Sequence, residues 1–419
     1  MESTFSSCSD DKHSKLENPY AMFCEVNSEE NTLSELTFGG YQTYQMIDIR
    51  TNVNWKLSQT PEWLTISNHS GKPTTHEPLH LKVAVEENAT GSARTPDLLL
   101  TGDQAQKSTL RISQEALVLD DWQTALEVCD AMKVGLNLYN TLDAVGTWFD
   151  QDDVHAFETC WGQPVADQEW FTAVKAAGFN AVRIPVTWYP HMTEDWVVKE
   201  PWMNRVEEVV NYALNAGLYA IINVHHDGEW LAADYPDLGN MLPKYTSLWR
   251  QIAERFNKYG DHLLFAAYNE IADRSGKWDT PASYDGYLAL NIIAQEFVNT
   301  VRSTGGNNEH RNLVIPTYCA NGAQERLDNL KLPDDKYAKH LLVEVHNYSP
   351  VSFTHLLDSG DDAQPAVWTS AGEAQLKKEL DVLANYTKET NVPILIGECG
   401  VLGDVNEDVE NGKFAEVLS

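Results

Sequence analysis

The sequence predicts a small all-β sandwich followed by an α/β domain, a (β/α)8 barrel whose last βα unit is missing from the chain. Three observations carry this reading. From about Cys24 to Glu115, short alternating segments are separated by turn residues. After "ALVLDDW" the pattern changes, and apolar strand-like runs alternate with amphipathic helices. A doubly wound sheet is the competing fold, and no GxGxxG follows the first of those runs, which removes its usual dinucleotide reading.

In the first region "YQMIDIRT", "NWKLS", "LHLKVAVEEN" and "STLRISQEA" read as strands of a sandwich. In the second, Val206, Val209, Val210, Ala213, Leu214 and Gly217 fall at helical spacing, as do Leu248, Trp249, Ile252, Ala253 and Phe256. Seven strand candidates separate such helices: "MKVGLNL", "NAVRIPV", "YAIINVH", "LLFAAYNE", "RNLVIPTYC", "LLVEVHNY" and "PILIGECG". Repeated βα units of this kind specify a parallel sheet, and this many in one domain favour a barrel. The predicted divisions are a tether over 1–22, the sandwich over 23–116 and the barrel over 122–419.

Composition narrows the partners. Thirty Lys+Arg against 62 Asp+Glu give a net charge of −32, which repels phosphate backbones, so nucleic acid is excluded as a partner. A neutral ligand is indifferent to that field, and 13 Trp supply rings able to stack on sugars. The six cysteines show no CxxC pair and no metal-ligand spacing. No run approaches the length of roughly 18 apolar residues that spans a bilayer.

Chemistry concentrates where the barrel strands end. "NAVRIPVTW" carries Arg183, "IINVHH" carries His225 and His226, and "LLFAAYNE" ends on Asn269 and Glu270. "LLVEVHNY" ends on His346 and Tyr348, and "ILIGECG" on Glu398. In a βα barrel these ends open onto one face, where the active site lies. Packing does not account for so many ionisable groups at strand ends. Two glutamates on opposite sides of the mouth point to glycoside hydrolysis, which needs an acid for the leaving oxygen and a carboxylate for the anomeric carbon. Arg183 beside one of them is expected to hold it ionised as a nucleophile. Asn269 is placed to bond a sugar 2-OH, Tyr348 to position the nucleophile, and the histidines to bind hydroxyls or orient carboxylates. Trp161, Trp188, Trp230, Trp278 and Trp368, on loops near the mouth, are candidates for sugar stacking. Trp55 and Trp63 of the sandwich are expected to pack its core instead.

Longer stretches carry resemblances. "NWKLSQTPEWLTISNHSG", "NATGSART" and "LRISQEA" resemble the BACON domain, an immunoglobulin-like module found N-terminal to polysaccharide-degrading enzymes. That implies a spacer. "GLNLYNTLDAVG", "ETCWGQP", "VKAAGFNAVRIPVTWYPHM", "GLYAIINVHHDGEW", "HLLFAAYNEI", "VRSTGGNN", "VEVHNYSP" and "PILIGECG" resemble, in order, glycoside hydrolase family 5, nearest its subfamily 4 endo-β-glucanases. The resemblance implies a TIM barrel and a retaining mechanism with Glu270 as acid/base and Glu398 as nucleophile, their carboxyls about 5 Å apart. It implies Arg183, His225, Asn269, His346 and Tyr348 in the subsite where the bond breaks and requires no metal or cofactor; Asn137, His226, Trp161 and Trp278 are further substrate-binding candidates.

Two departures stand out. Tyr139 replaces the glycine usual in the family's stretch beside the first strand. Only 21 residues follow Glu398, and none matches the family's last-strand Trp, so the chain is expected to be a fragment of a longer protein. "FSSCSDDK" resembles a bacterial lipobox, which makes Cys8 the candidate lipid anchor of a form with a longer signal peptide. The expected protein is thus a monomeric, extracellular or surface-attached endo-β-1,4-glucanase acting on cellulose, mixed-linkage glucan or xyloglucan. The alternatives are a mannanase or xylanase on the same scaffold, or a catalytically impaired glycan-binding lipoprotein.

Overall fold

The computed structural model describes residues 19–25, 32–40, 42–74, 78–105, 107–116, 122–354 and 368–401. Cys8 and most of the predicted tether lie outside the described residues. The chain divides into two compact units, Met1–Val118 and Leu119–Ser419.

Among its described residues the first unit holds nine strands: β1 (Ala21–Cys24), β2 (Glu35–Phe38), β3 (Thr43–Thr51), β4 (Trp55–Leu57), β5 (Leu64–Ile66), β6 (Ser70–Gly71), β7 (Leu79–Val85), β8 (Asp97–Gly102) and β9 (Ser108–Gln114). They form two sheets, β1-β3-β7-β5 and β2-β9-β8-β4-β6. Alternation decides which face is buried: Leu81, Val83 and Val85 of β7 point inward while His80 and Lys82 do not. Trp55 is buried in this core opposite Gly71, where a Cβ would come within 2.7 Å of the indole. Trp63 lies under the Arg94 guanidinium, 3.9 Å from its ring. Both tryptophans therefore serve packing.

The second unit opens with α1 (Ala125–Met132), started by a capping box in which Thr124 and Glu127 satisfy each other's backbone N–H groups. Strands and helices then alternate: β10 (Gly135–Asn137), α2 (Val154–Thr159), α3 (Gln168–Ala176), β11 (Ala181–Ile184), α4 (Glu200–Asn215), β12 (Tyr219–Ile222), α5 (Leu238–Arg255) and β13 (Leu263–Ala266). There follow α6 (Tyr284–Ser303), β14 (Leu313–Asn321), α7 (Gln324–Asn329), β15 (Leu341–His346), α8 (Val351–Thr354), α9 (Ser370–Thr390) and β16 (Ile394–Glu398). The strands are parallel and lie side by side in sequence order, the arrangement of a TIM barrel.

The interior is layered by the two-residue period of a strand. Ala181, Ile221, Ala266, Val314 and Leu342 form an apolar plug, closed from below by Val128 and Met132 of α1. Two residues further along their strands come Arg183, Asn223, Tyr268 and Glu344, all buried. Apolar residues thus fill the lower barrel and polar ones its upper end. The outward residues Val343 and Val345 pack instead against Leu327 and Leu383 on the helices.

Candidate active site

The polar layer is the floor of the site. Arg183, on β11, reaches four residues: Nη1 donates to Glu398 Oε1 (2.8 Å) and Asn137 Oδ1 (3.1 Å), and Nη2 donates to Asn269 Oδ1 (2.7 Å). Its Nε lies 2.9 Å from Glu344 Oε1 as an ion pair. Burial disfavours the guanidinium charge, but Glu344 and Glu398 more than restore it, so Arg183 is held charged. Asn137 in turn donates to the Gly397 carbonyl (2.9 Å), tying β10 to β16 at the mouth.

Glu398 arrives by a local irregularity. Strict alternation after the inward Leu395 would send Gly397 inward and Glu398 out. The register between β15 and β16 shifts between Val345 and His346, which pairs His346 with Glu398 and re-aims the carboxylate. Gly397 is needed there because a Cβ would collide with Glu344 Oε1. Glu398 is 7% exposed and receives a second hydrogen bond from Tyr348 Oη to Oε2 (2.9 Å). Burial and the neighbouring Glu398 charge push the Tyr348 phenol far above its usual range, so it stays a donor. Tyr139, the departure noted in the sequence, sets its hydroxyl 3.4 Å from that of Tyr348. Burial and Glu398 push its phenol up to about 12.

Glu270 sits differently. Its side chain is 27% exposed, and its Oε1 accepts from His346 Nδ1 at 2.6 Å. The other ring nitrogen of His346 donates to Glu344 Oε1 (3.2 Å). Burial opposes a charge on His346, yet these two carboxylates raise it to about 9. A carboxylate oxygen of Glu270 and one of Glu398 lie within 4.8 Å of each other. Beside Glu270 opens a cavity of about 520 Å³, lined by Trp278, Asn321, His346, Tyr348 and Glu379 among others. Trp278, 60% exposed, stands at its edge.

His225 and His226 occupy the opposite side. The Asn223 amide oxygen accepts from Val186 N–H, so its Nδ2 donates to His225 Nδ1 (3.1 Å) and leaves Nε2 carrying the ring proton. Burial, then Arg183, keeps His225 well below the usual histidine range, hence neutral. His226 is half-exposed, 3.8 Å from Asp143 and 5.5 Å from the ring of Trp161. Donor atoms of Asp143, His225 and His226 come within 4.8 Å of one another, as do those of Glu270, His346 and Glu398. In the second set His346 faces a carboxylate oxygen with each ring nitrogen and donates from both; in the first, the His225 Nδ1 lone pair is taken by the Asn223 amide and Nε2 carries the proton.

The predicted residues thus converge: Asn137, Arg183, Asn269, Glu270, His346, Tyr348 and Glu398 form one network of hydrogen bonds and ion pairs, the Glu270–His346 pair joining the rest through Glu344 and through the 3.5 Å approach of His346 to Glu398, with His225, His226 and Trp161 on one flank and Trp278 on the other. Trp188 is a correction. It is fully buried, with Nε1 donating to the Asn223 carbonyl (2.9 Å), because the chain after β11 turns it back into the core. Trp230 is anchored on Asp227 (2.8 Å), and Trp368 packs edge-on against Phe353. Glu344 was not singled out from sequence, although it stands two residues before His346 on the same strand face.

The chain belongs to glycosyl hydrolase family 5: the Cellulase model of that family matches residues 142–418. The BACON model, an N-terminal binding domain, matches residues 53–115. Endoglucanase A of Clostridium longisporum is 37% identical over 306 residues, covering 71% of this chain, and the chain spans only 58% of that protein's length. The xyloglucan-specific endo-β-1,4-glucanase BoGH5A of Bacteroides ovatus is 31% identical over 431 residues, 96% of this chain and 81% of that protein. A family 5 enzyme of Prevotella bryantii, solved with a xyloglucan tetradecasaccharide, superposes with a TM-score of 0.63 at 42% identity, over 68% of this chain and 80% of that one.

Proposed function

We propose that this protein is an endo-acting, retaining glycoside hydrolase that cleaves β-1,4-glucan-type plant polysaccharide. The observation that carries the reading is the approach of Glu270 and Glu398 to within 4.8 Å, since a retaining pair stands about 5–5.5 Å apart and an inverting pair about 6.5–9.5 Å. The endoglucanase and xyloglucanase relatives support cellulose, mixed-linkage glucan and xyloglucan as the substrate class.

In the first step Glu398 attacks the anomeric carbon while Glu270 gives its proton to the departing glycosidic oxygen, leaving a glycosyl ester on Glu398. In the second, Glu270 takes a proton from water, whose oxygen displaces Glu398 from the same carbon. Arg183 and Tyr348 fix both oxygens of the nucleophile. Asn269, with its carbonyl held by Arg183, turns its amide N–H groups to the sugar 2-OH. His225, a neutral donor at Nε2, serves a sugar hydroxyl, as does His226. Trp161 and Trp278 stack on sugars at either side of the cleaved bond.

A polymer of this size cannot cross a membrane, which supports extracellular or surface action; among the described residues no helix is long and apolar enough to span one. A lipid anchor at Cys8, the sandwich as spacer and a monomeric state complete the reading. Incubation with xyloglucan, mixed-linkage glucan, carboxymethylcellulose, mannan and xylan, with products sized by chromatography, tests it. Oligosaccharides released early from the glucans are expected. Monosaccharide alone, or cleavage confined to mannan or xylan, refutes it.

A further inference from the structure

Glu344 is a carboxylate in an expensive place. It is completely buried inside the barrel, one layer beneath the mouth. Oε1 meets both Arg183 Nε (2.9 Å) and His346 Nε2 (3.2 Å), while Oε2 has no hydrogen-bond partner among the described residues. Such a half-satisfied buried anion is less favourable there than a neutral side chain of the same shape. The backbone opposite makes room for it, since any side chain at Gly397 would strike Oε1. We propose that Glu344 is a positioning residue for both catalytic glutamates: the permanent counter-ion that keeps His346 doubly protonated and Arg183 in place throughout the reaction. This rests on the double-displacement reading of Glu270 and Glu398.

The reason is a difference in lifetime among the charges around His346. Arg183 on β11 and His225 after β12 face it, and neither favours a proton on its ring. Glu270, Glu398 and Glu344 all favour one; Tyr268 and Tyr348 are neutral phenols nearby. During turnover Glu398 becomes a neutral ester and Glu270 alternates between acid and carboxylate. Only Glu344 keeps its charge in every state. His346 therefore retains both N–H groups, and its Nδ1–H holds Glu270 Oε1 in one orientation through both steps. Arg183, gripped from below by Glu344, keeps its Nη1 on Glu398. The carboxylate reaches the two glutamates only through these cations.

The test is the protonation state of His346 in the ¹⁵N-labelled full chain, read by long-range ¹H–¹⁵N correlation of its ring nitrogens from about pH 5.5 to about pH 9.5. In the wild type both nitrogens are expected to stay protonated to about pH 8, and Glu344→Gln is expected to lower the titration midpoint by at least about one pH unit. The same variant is expected to lower kcat on β-glucan about 30- to 100-fold with KM changed less than about threefold. Gly397→Ala, which displaces the carboxylate without removing it, is expected to move the ring titration in the same direction, and decides the matter if Glu344→Gln does not fold. A neutral His346 ring at pH 7 in the wild type, or a midpoint unmoved in the folded variants, overturns the proposal. A wild type that cleaves no β-glucan would instead sink the functional reading, and the ring titration would still report on Glu344.

Discussion

The two glutamates of the mouth live in opposite surroundings. Glu398 is nearly buried, with Arg183 on one oxygen and Tyr348 on the other. Glu270 is about a quarter exposed, faces an open cavity, and has His346 as its hydrogen-bonding neighbour. The contrast matches what double displacement asks of each. A nucleophile must be fixed in line with one carbon, whereas an acid/base must meet a leaving oxygen and then admit water along the same path. The flanking histidines divide in the same manner: His346, between two carboxylates, is charged, while His225, against an amide, is neutral.

The contrast is sharpest if the glutamates are exchanged one at a time. Glu398→Gln should lower kcat on soluble β-glucan by at least about 1,000-fold, roughly 4 kcal/mol, whatever the leaving group. Glu270→Gln should cost about 100- to 1,000-fold on polysaccharide but spare the first step on a dinitrophenyl cellobioside, whose leaving group needs no proton. A burst of dinitrophenol followed by slow turnover, seen by stopped-flow absorbance, is the expected signature. Equal losses on both substrates would erase the distinction between the two residues.

Smaller effects probe the surroundings. The folded chain holds the His346 proton up to about pH 9, while an unfolded histidine releases it near 6.5. The pairing thus contributes fully below pH 6.5 and is lost as pH rises through 9, a decline of up to about 1.4 kcal/mol per pH unit in between. Urea midpoints at pH 7 and pH 9 should show this slope in the wild type and a flatter one in His346→Asn. Tyr348→Phe removes one donor from the nucleophile and should lower kcat about 10- to 100-fold, the worth of a hydrogen bond to a charged group. Trp278→Ala should raise KM for long substrates a few-fold to about tenfold with little change in kcat, as expected for a stacking contact beyond the bond that breaks.

Much of this was legible in the sequence because a barrel converts strand ends into one place. His225, Asn269, Glu270, His346, Tyr348 and Glu398 stand at the ends of apolar runs, Arg183 is the lone charge inside one, and parallel register does the rest. What was not legible depends on neighbours in space. Glu344 hides inside an apolar strand, and Arg183, His346 and the absent side chain of Gly397 together explain why a charge fits there. Trp188 lies beside a strand end yet turns inward, since its indole finds a carbonyl in the core rather than solvent. In the sandwich, β1, β2 and the two-residue β6 are too short for alternation to announce them and exist only as partners of longer strands.

The central claim is that Glu398 forms a covalent bond to the sugar while Glu270 does not. An activated 2-deoxy-2-fluoro cellobioside slows the release of such an intermediate enough for mass spectrometry of the intact chain and of its peptides. One fluorosugar per chain, carried on the peptide containing Glu398 and absent from Glu398→Gln, is the predicted result. A label on Glu270, or products released with inverted anomeric configuration and no adduct, would contradict it.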